Sequence, residues 1–340
     1  MRGVIMNAPG EVVVAERPDP VIVEPTDAII RLTATCICGS DLWPYRGTEH
    51  ADHAPMGHEY VGVVEEVGAE VTTVKPGDFV VGSFVASDNT CEICRAGYPS
   101  RCVHNVMMGG IGTQAEKARI PLADGTLVAT PGQPDADLIP SLLAASDVLG
   151  TGWFAAVAAE AGPGKTVVVV GDGAVGLMGV LAAKQLGAER VIAMSRHADR
   201  QALARAFGAT DIVEERGDAG VATIKELTGG LGAHSVIEAV GTQESLLQAI
   251  RSARPGGHVG FVGVAHDGVA LPADELFFAE VHLLGGPAPV RRFLPELIRL
   301  IWDREIDPGR VFDLTLPLDR AAEGYDAMDR RTATKVLLTF

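Results

Sequence analysis

From Gly164 onward the apolar positions of this chain fall into a regular beat. "KTVVVVG" is a short apolar run ending at Gly171, the pattern of a strand buried on both faces. The following "AVGLMGVLAAKQLG" has helix length and is closed by Gly187. "RVIAMS" predicts a second strand, and "ADRQALARAFG" a second helix with Leu203 and Phe207 on one face. "HSVIEAVG", "ESLLQAIRSARPGG" and "HVGFVGV" continue the alternation. Strands and helices in turn predict a parallel sheet covered on both faces. Upstream, to about residue 150, the texture differs. β-Branched runs such as "AIIRLTATCIC" and "GVVEEVG", and the Pro-Gly turn of "KPGDFVV", read as short strands joined by turns. After Gly286 the proline-interrupted "GPAPVRRF" marks a boundary. "LPELIRLIWDRE" then predicts one long helix, before a return to strands ending in "KVLLTF".

Composition narrows the class. A chain of 340 residues with 47% hydrophobic and 21% charged positions can fill two cores. The net charge of −16 argues against nucleic acid or an anionic membrane as partner. The start, "MRGVIMNAPG", lacks an apolar run of signal-peptide length, and the longest apolar stretches are broken by Asp172 or by glycines. A soluble, cytoplasmic protein is expected. Its cysteines are Cys36, Cys38, Cys91, Cys94 and Cys102; clustered C-x-x-C spacing without an export signal favours metal binding over disulfides.

Gly171, Gly173 and Gly176, with Ala174 and Val175 between the last two, form G-x-G-x-x-G directly between a predicted strand and helix. That context turns a weak pattern into a dinucleotide site. The first glycine permits the turn, the second lets a pyrophosphate approach the backbone, and the third lets helix and strand pack closely. A purely structural glycine turn is the plainer alternative. An acidic residue about 20 positions on would read the ribose hydroxyls of NAD. Here Ser195 stands at the end of the next strand, followed by Arg196 and His197. A hydroxyl beside a guanidinium suits a phosphate monoester, so NADP is expected over NAD. A solvated arginine at a strand end would explain Arg196 equally simply.

Upstream, "TCICGSD", "MGHEYVG" and "AASDVLG" offer Cys38, His58 and Asp147: a thiolate, an imidazole and a carboxylate, all competent zinc ligands. Asp41 can take the second ring N–H of His58 and fix its orientation. A buried cysteine, a hydrogen-bonded histidine and a helix-capping aspartate would explain the three one by one. Position 62 is glycine, so His58-Glu59 does not extend to the H-E-x-x-H of a metalloprotease. Cys91, Cys94 and Cys102 look like three corners of a second, closed site.

On these residues the chain resembles the zinc-dependent medium-chain alcohol dehydrogenases over essentially its whole length. The landmarks run in order: Cys38-Gly39-Ser40-Asp41, Gly57-His58-Glu59, the cysteine cluster, the glycine-rich turn and the closing "KVLLTF". The resemblance implies an α/β protein in which a Rossmann doubly wound parallel-sheet domain, residues 150–286, is inserted in a GroES-like β-rich catalytic domain. That domain comprises 1–149, with a structural zinc lobe at 86–104, and 287–340. It implies catalytic zinc on Cys38, His58 and Asp147, with Glu59 as alternate ligand. The family's lobe spacing, counted back from Cys91, gives Asp88 as the fourth structural ligand beside Cys94 and Cys102. Ser40 is implied to take the proton of the substrate alcohol. Where members often carry a histidine three residues later as outer relay member, this chain has Trp43, whose indole donates only. Trp43 and Phe84 are then expected to wall the substrate pocket, with core packing as the competing role. Lys335 falls where the family places a basic residue near a cofactor phosphate, unless it is simply solvated. Val240-Gly241, Val262-Gly263-Val264 and Leu284-Gly285 are expected to line the cofactor.

Asp147 before "VLGTGW" and the Ser195-Arg196 pair look most like bacterial NADP-dependent secondary-alcohol dehydrogenases, acting on an alcohol, ketone or aldehyde as dimers or tetramers. Polyol or sugar dehydrogenases of the same family more often carry glutamate where Asp147 stands, and they need more hydrogen-bond partners than Phe84 and Trp43 offer. A non-enzymatic NADP-binding relative would be favoured by loss of Cys38, His58 or Asp147, and none is lost.

Overall fold

The computed structural model describes residues 1–265 and 268–340. Two compact units form: Met1–Asp147 with Pro289–Phe340, and Val148–Ala288.

In the second unit six parallel strands carry the fold: β1 (Thr166–Val170), β2 (Arg190–Met194), β3 (Asp211–Val213), β4 (Ala233–Glu238), β5 (Ala253–Phe261) and β6 (His282–Gly285). They lie in the order β3-β2-β1-β4-β5-β6, so the chain reverses direction across the sheet between β1 and β4. That reversal opens a crevice at the strands' carboxyl ends, where doubly wound sheets take ligands. Helices α1 (Ala174–Gln185), α2 (Ala198–Ala206), α3 (Gly217–Leu227) and α4 (Gln243–Ser252) make the crossovers. Val168, Val170, Ile192, Val236 and Val259 are buried between sheet and helices, as continuous apolar runs require. β5 begins earlier than "HVGFVGV" suggests. It absorbs Pro255-Gly256-Gly257 through a break in register, Ala233 facing Ala253 but Ser235 facing His258.

The first unit is built on mostly antiparallel sheets, with Leu314–Pro317 parallel to Val336–Thr339. Ala28–Ile37 pairs with Tyr60–Val67 on one side and, antiparallel, with the C-terminal Val336–Thr339 on the other. This return of the chain sets Val336 opposite Ile37 and so delivers Lys335 next to Cys38. Two helices arise where turns and strands were expected: Ile139–Ala145 in this unit and Val148–Ala158 in the other. The second is buried on nearly every side, so its sequence carries no polar stripe to betray the helical period. The helix expected at "LPELIRLIWDRE" starts earlier, at Val290, and keeps Pro295 inside it. No single helix among the described residues is long and apolar enough to cross a membrane.

Candidate active site

The turn after the strand Ala28–Ile37 presents Cys38. Asp41 closes that turn, its N–H donating to the Cys38 carbonyl (3.1 Å) and its Oδ2 accepting the Cys38 N–H (2.9 Å). His58 precedes the strand Tyr60–Val67, and Asp147 follows the helix Ile139–Ala145. The fold brings one ligand atom from each of Cys38, His58, Glu59 and Asp147 within 4.8 Å of the others. His58 directs Nε2 toward Asp147 (3.4 Å) and Nδ1 toward Asp41 (3.4 Å). Nε2 therefore faces the cluster while Asp41 orients the ring. Asp41 is itself held by Gln114 Nε2 (2.9 Å), and Gln114 Oε1 accepts from the buried Tyr325 hydroxyl (2.9 Å). Sequence reading missed Gln114 and Tyr325, which lie far along the chain and match no local pattern.

The electrostatics of the cluster call for a cation. Burial, then the charge of Glu59, pushes the Cys38 thiol up. Burial opposes a charge on His58, but Asp41 and Cys38 outweigh it and hold the ring well above the usual imidazole range. Glu59 is fully buried and its Oε2 has no hydrogen-bond partner among the described residues. An orphaned buried carboxylate oxygen beside a sulfur, an imidazole and a second carboxylate fits zinc, which would hold the thiolate and satisfy the oxygen.

Ser40 lies half-buried in the same turn, Trp43 half-buried on the short helix Leu42–Tyr45, and Phe84 edge-on to His58 with ring centroids 6.4 Å apart. Lys335 needs correcting. It was expected near a cofactor phosphate, yet it is 1% exposed and its Nζ donates to Glu59 Oε1 (2.7 Å) and the Ile37 carbonyl (3.3 Å). A buried ammonium already engaged by a carboxylate is not offered to a phosphate.

In the lobe, Asp88, Cys91, Cys94 and Cys102 also converge. The Cys91 and Cys94 sulfurs are 3.4 Å apart, those of Cys91 and Cys102 3.9 Å, and Cys94 Sγ lies 3.5 Å from Asp88 Oδ1. Zn–S bonds near 2.3 Å in a tetrahedron place sulfurs about 3.8 Å apart, so the donors fit. The strand pair Val85–Ala86 and Val106–Met107 closes the lobe's base. Burial opposes the Asp88 charge, but His104 and the Thr90 and Cys91 N–H groups outweigh it and hold the carboxyl well below its usual range. Hydrogen bonds from the Val103 and Cys94 backbone pull the Cys91 thiol down to about 7. Asp88→Ala is expected to speed loss of one zinc to a chelator by roughly 10- to 100-fold, in line with ligand-shell mutations generally. Limited proteolysis should then cut within 86–104; wild-type zinc retention and resistance would refute the assignment.

At the carboxyl end of β1, Gly171 has φ +119°, open only to glycine without strain. Gly173 caps α1, and a Cβ there would meet nothing, leaving its backbone open to a ligand. A Cβ on Gly176 would lie 2.0 Å from the Gly171 carbonyl oxygen, so helix and turn touch there. Ala174 and Val175 open α1, half-buried. Val240 and Gly241 follow β4, and Gly241 lies against Gly263-Val264 after β5; Val262 leads into that turn, and Leu284-Gly285 end β6. Ser195 follows β2 directly, buried, with Arg196 exposed beside it. Sequence reading put no carboxylate at this strand end. The structure supplies one from the glycine turn: Asp172 Oδ2 accepts from Ser195 Oγ at 2.8 Å.

Residues 24–131 match the family model for the alcohol dehydrogenase GroES-like domain, and 174–303 that for zinc-binding dehydrogenases. A probable zinc-binding alcohol dehydrogenase of Mycobacterium tuberculosis is 37% identical, over 99% of this chain and 87% of its own length. The NADP-dependent isopropanol dehydrogenase of Thermoanaerobacter brockii is 34% identical, over 92% of this chain and 91% of its own. Among solved structures, an alcohol dehydrogenase from Thermus sp. ATN1 superposes with a TM-score of 0.90 at 32% identity, covering 100% of this chain and 99% of that one. Full-length likeness of this depth, together with a GroES-like domain and a Rossmann sheet, makes the chain a member of the zinc-dependent medium-chain alcohol dehydrogenase family, an oxidoreductase acting on CH–OH groups.

Proposed function

We propose that the chain is a cytoplasmic, NADP-dependent enzyme interconverting a small or medium secondary alcohol and its ketone. The convergence of Cys38, His58, Glu59 and Asp147 carries the reading. Residues 1–149 and 287–340 take the catalytic part, and 150–286 the cofactor. Bound zinc would polarise the substrate oxygen, and the nicotinamide would carry the hydride. The chain's own groups do the rest. Asp41 orients His58, and Ser40 accepts the substrate's hydroxyl proton; Trp43 cannot pass it on, because its indole nitrogen only donates. Phe84 and Trp43 supply an apolar wall that favours alkyl substituents over additional hydroxyls, which would be buried without partners. Ser195 and Arg196 read the adenosine-side phosphate, and the isopropanol dehydrogenase of T. brockii, named as NADP-dependent, supports that reading. Phe277 and Phe278, 76% and 82% exposed, favour a homodimer or homotetramer.

A panel of secondary alcohols, polyols and carbonyls, run with each cofactor, tests the proposal. The highest kcat/KM is expected for a secondary alcohol with NADP; polyols with NAD would overturn it. Arg196→Ala should weaken NADP binding by about tenfold or more and NAD by no more than about threefold, because only a phosphate uses the guanidinium's charged donors. Equal losses would remove the basis for the preference.

A further inference from the structure

At the mouth of the Rossmann sheet, the first variable position of the glycine turn is an aspartate, and it is surrounded. Asp172 Oδ2 accepts from Ser195 Oγ at 2.8 Å. Its Oδ1 accepts from Arg200 at 3.3 Å, and Arg216 approaches Oδ2 at 4.0 Å. The Asp172 and Arg200 side chains are each only 13% exposed, so solvent screens this pair weakly. Arg216 Nε is buried and has no hydrogen-bond partner among the described residues. The cluster thus gathers one hydroxyl and two guanidiniums from three segments, the residue after β2, the first turn of α2 and the residue before α3. Arg196 stands exposed at the same strand end.

Such a donor set exceeds what one carboxylate needs. Two guanidiniums offer ten N–H donors in planar forks suited to a phosphate's three oxygens. A carboxylate that served only as a reader of ribose hydroxyls would not need two arginines competing for its oxygens.

We propose that Asp172 is a resident counter-ion in a phosphate pocket, and that Arg200 and Arg216 are specificity-determining residues for the 2′-phosphate of NADP. This rests on the NADP reading above and deepens it. In the free protein Asp172 offsets part of the charge of the two arginines and keeps Ser195 oriented. A 2′-phosphate takes over their donors, and Asp172 then stands beside it as a repelling charge. The aspartate therefore lowers the enzyme's preference for NADP below what its cations would give.

The test uses the zinc-loaded, full-length enzyme and reads dissociation constants for NADPH and NADH by nucleotide-fluorescence titration. Arg200→Gln and Arg216→Gln should each weaken NADPH by about tenfold or more and NADH by less than about threefold. Asp172→Asn, which keeps an acceptor for Ser195, should tighten NADPH by about fivefold or more and leave NADH within about threefold. Unchanged thermal midpoints would show that the variants are folded. Asp172→Asn weakening NADH tenfold without tightening NADPH overturns the inference, because Asp172 then reads ribose hydroxyls. Equal losses for both cofactors in the arginine variants overturn it too. The wild-type ratio tests the NADP reading separately: an enzyme that prefers NADH fails that reading, whereas a gain for NADPH in Asp172→Asn still upholds the counter-ion.

Discussion

Cys38→Ala is expected to cut kcat/KM by roughly 10³-fold or more, because it removes the only sulfur of the donor cluster and with it the Lewis acid. The methyl side chain cannot ligate, and Asp147, Glu59 and His58 are left as a carboxylate-rich set that binds zinc less well and more lability is expected. Metal analysis should find about one zinc per chain where the wild type holds about two, the survivor sitting in the lobe. Against chelated wild type the thermal midpoint should move little, since Cys38 is at the edge of a turn that Asp41 still closes through the Cys38 N–H. Acid should act on the wild type in the same direction. His58 ligates only without its proton, and its neighbours hold that proton well, so zinc occupancy falls as pH falls. A Cys38→Ala enzyme that keeps two zincs and near-normal turnover would sink the assigned chemistry.

The parts of this design that lie in local pattern were legible before any fold was known. The strand–helix beat from Gly164 and the glycine turn depend on neighbours in sequence, and the parallel sheet they predict is the one that forms, with an order that only the fold reveals. The three lobe cysteines, within Cys91–Cys102, are similarly compact, whereas Asp88 was expected only through the family resemblance; the fold brings all four together. What escaped depends on distant segments or on uniform burial. Val148–Ala158 shows no helical stripe because nearly all of it is inside. Asp172 looked like a mere interruption in an apolar run, and only the folded turn carries it to Ser195. Lys335 was expected near a cofactor phosphate because of its place in the family pattern, whereas the pairing of Val336 with Ile37 carries it into the interior.

That buried lysine gives the largest expected effect on stability. Lys335 and Glu59 have side chains 1% and 0% exposed and meet at 2.7 Å, so neither charge is shared with water. Each ion gave up its hydration on folding; Lys335 regains contacts from Glu59 and the Ile37 carbonyl, whereas Glu59 leans chiefly on the ammonium. Lys335→Met keeps the volume but leaves Glu59 buried and unpaired, its Oε2 already lacking a partner. The expected cost is about 3–5 kcal/mol, read as a drop in denaturation midpoint. Glu59→Gln alone strands the ammonium instead and is also expected to destabilise. The double variant Lys335→Met/Glu59→Gln should recover most of the loss, because replacing both charges removes the desolvation penalty that either alone incurs. Zinc supplies the decisive comparison. If Glu59 faces the metal, a bound dication compensates its charge, and Lys335→Met should cost less in the zinc-loaded protein than after chelation. Equal costs in the two forms would mean that Glu59 serves the lysine alone and takes no part in the metal's surroundings.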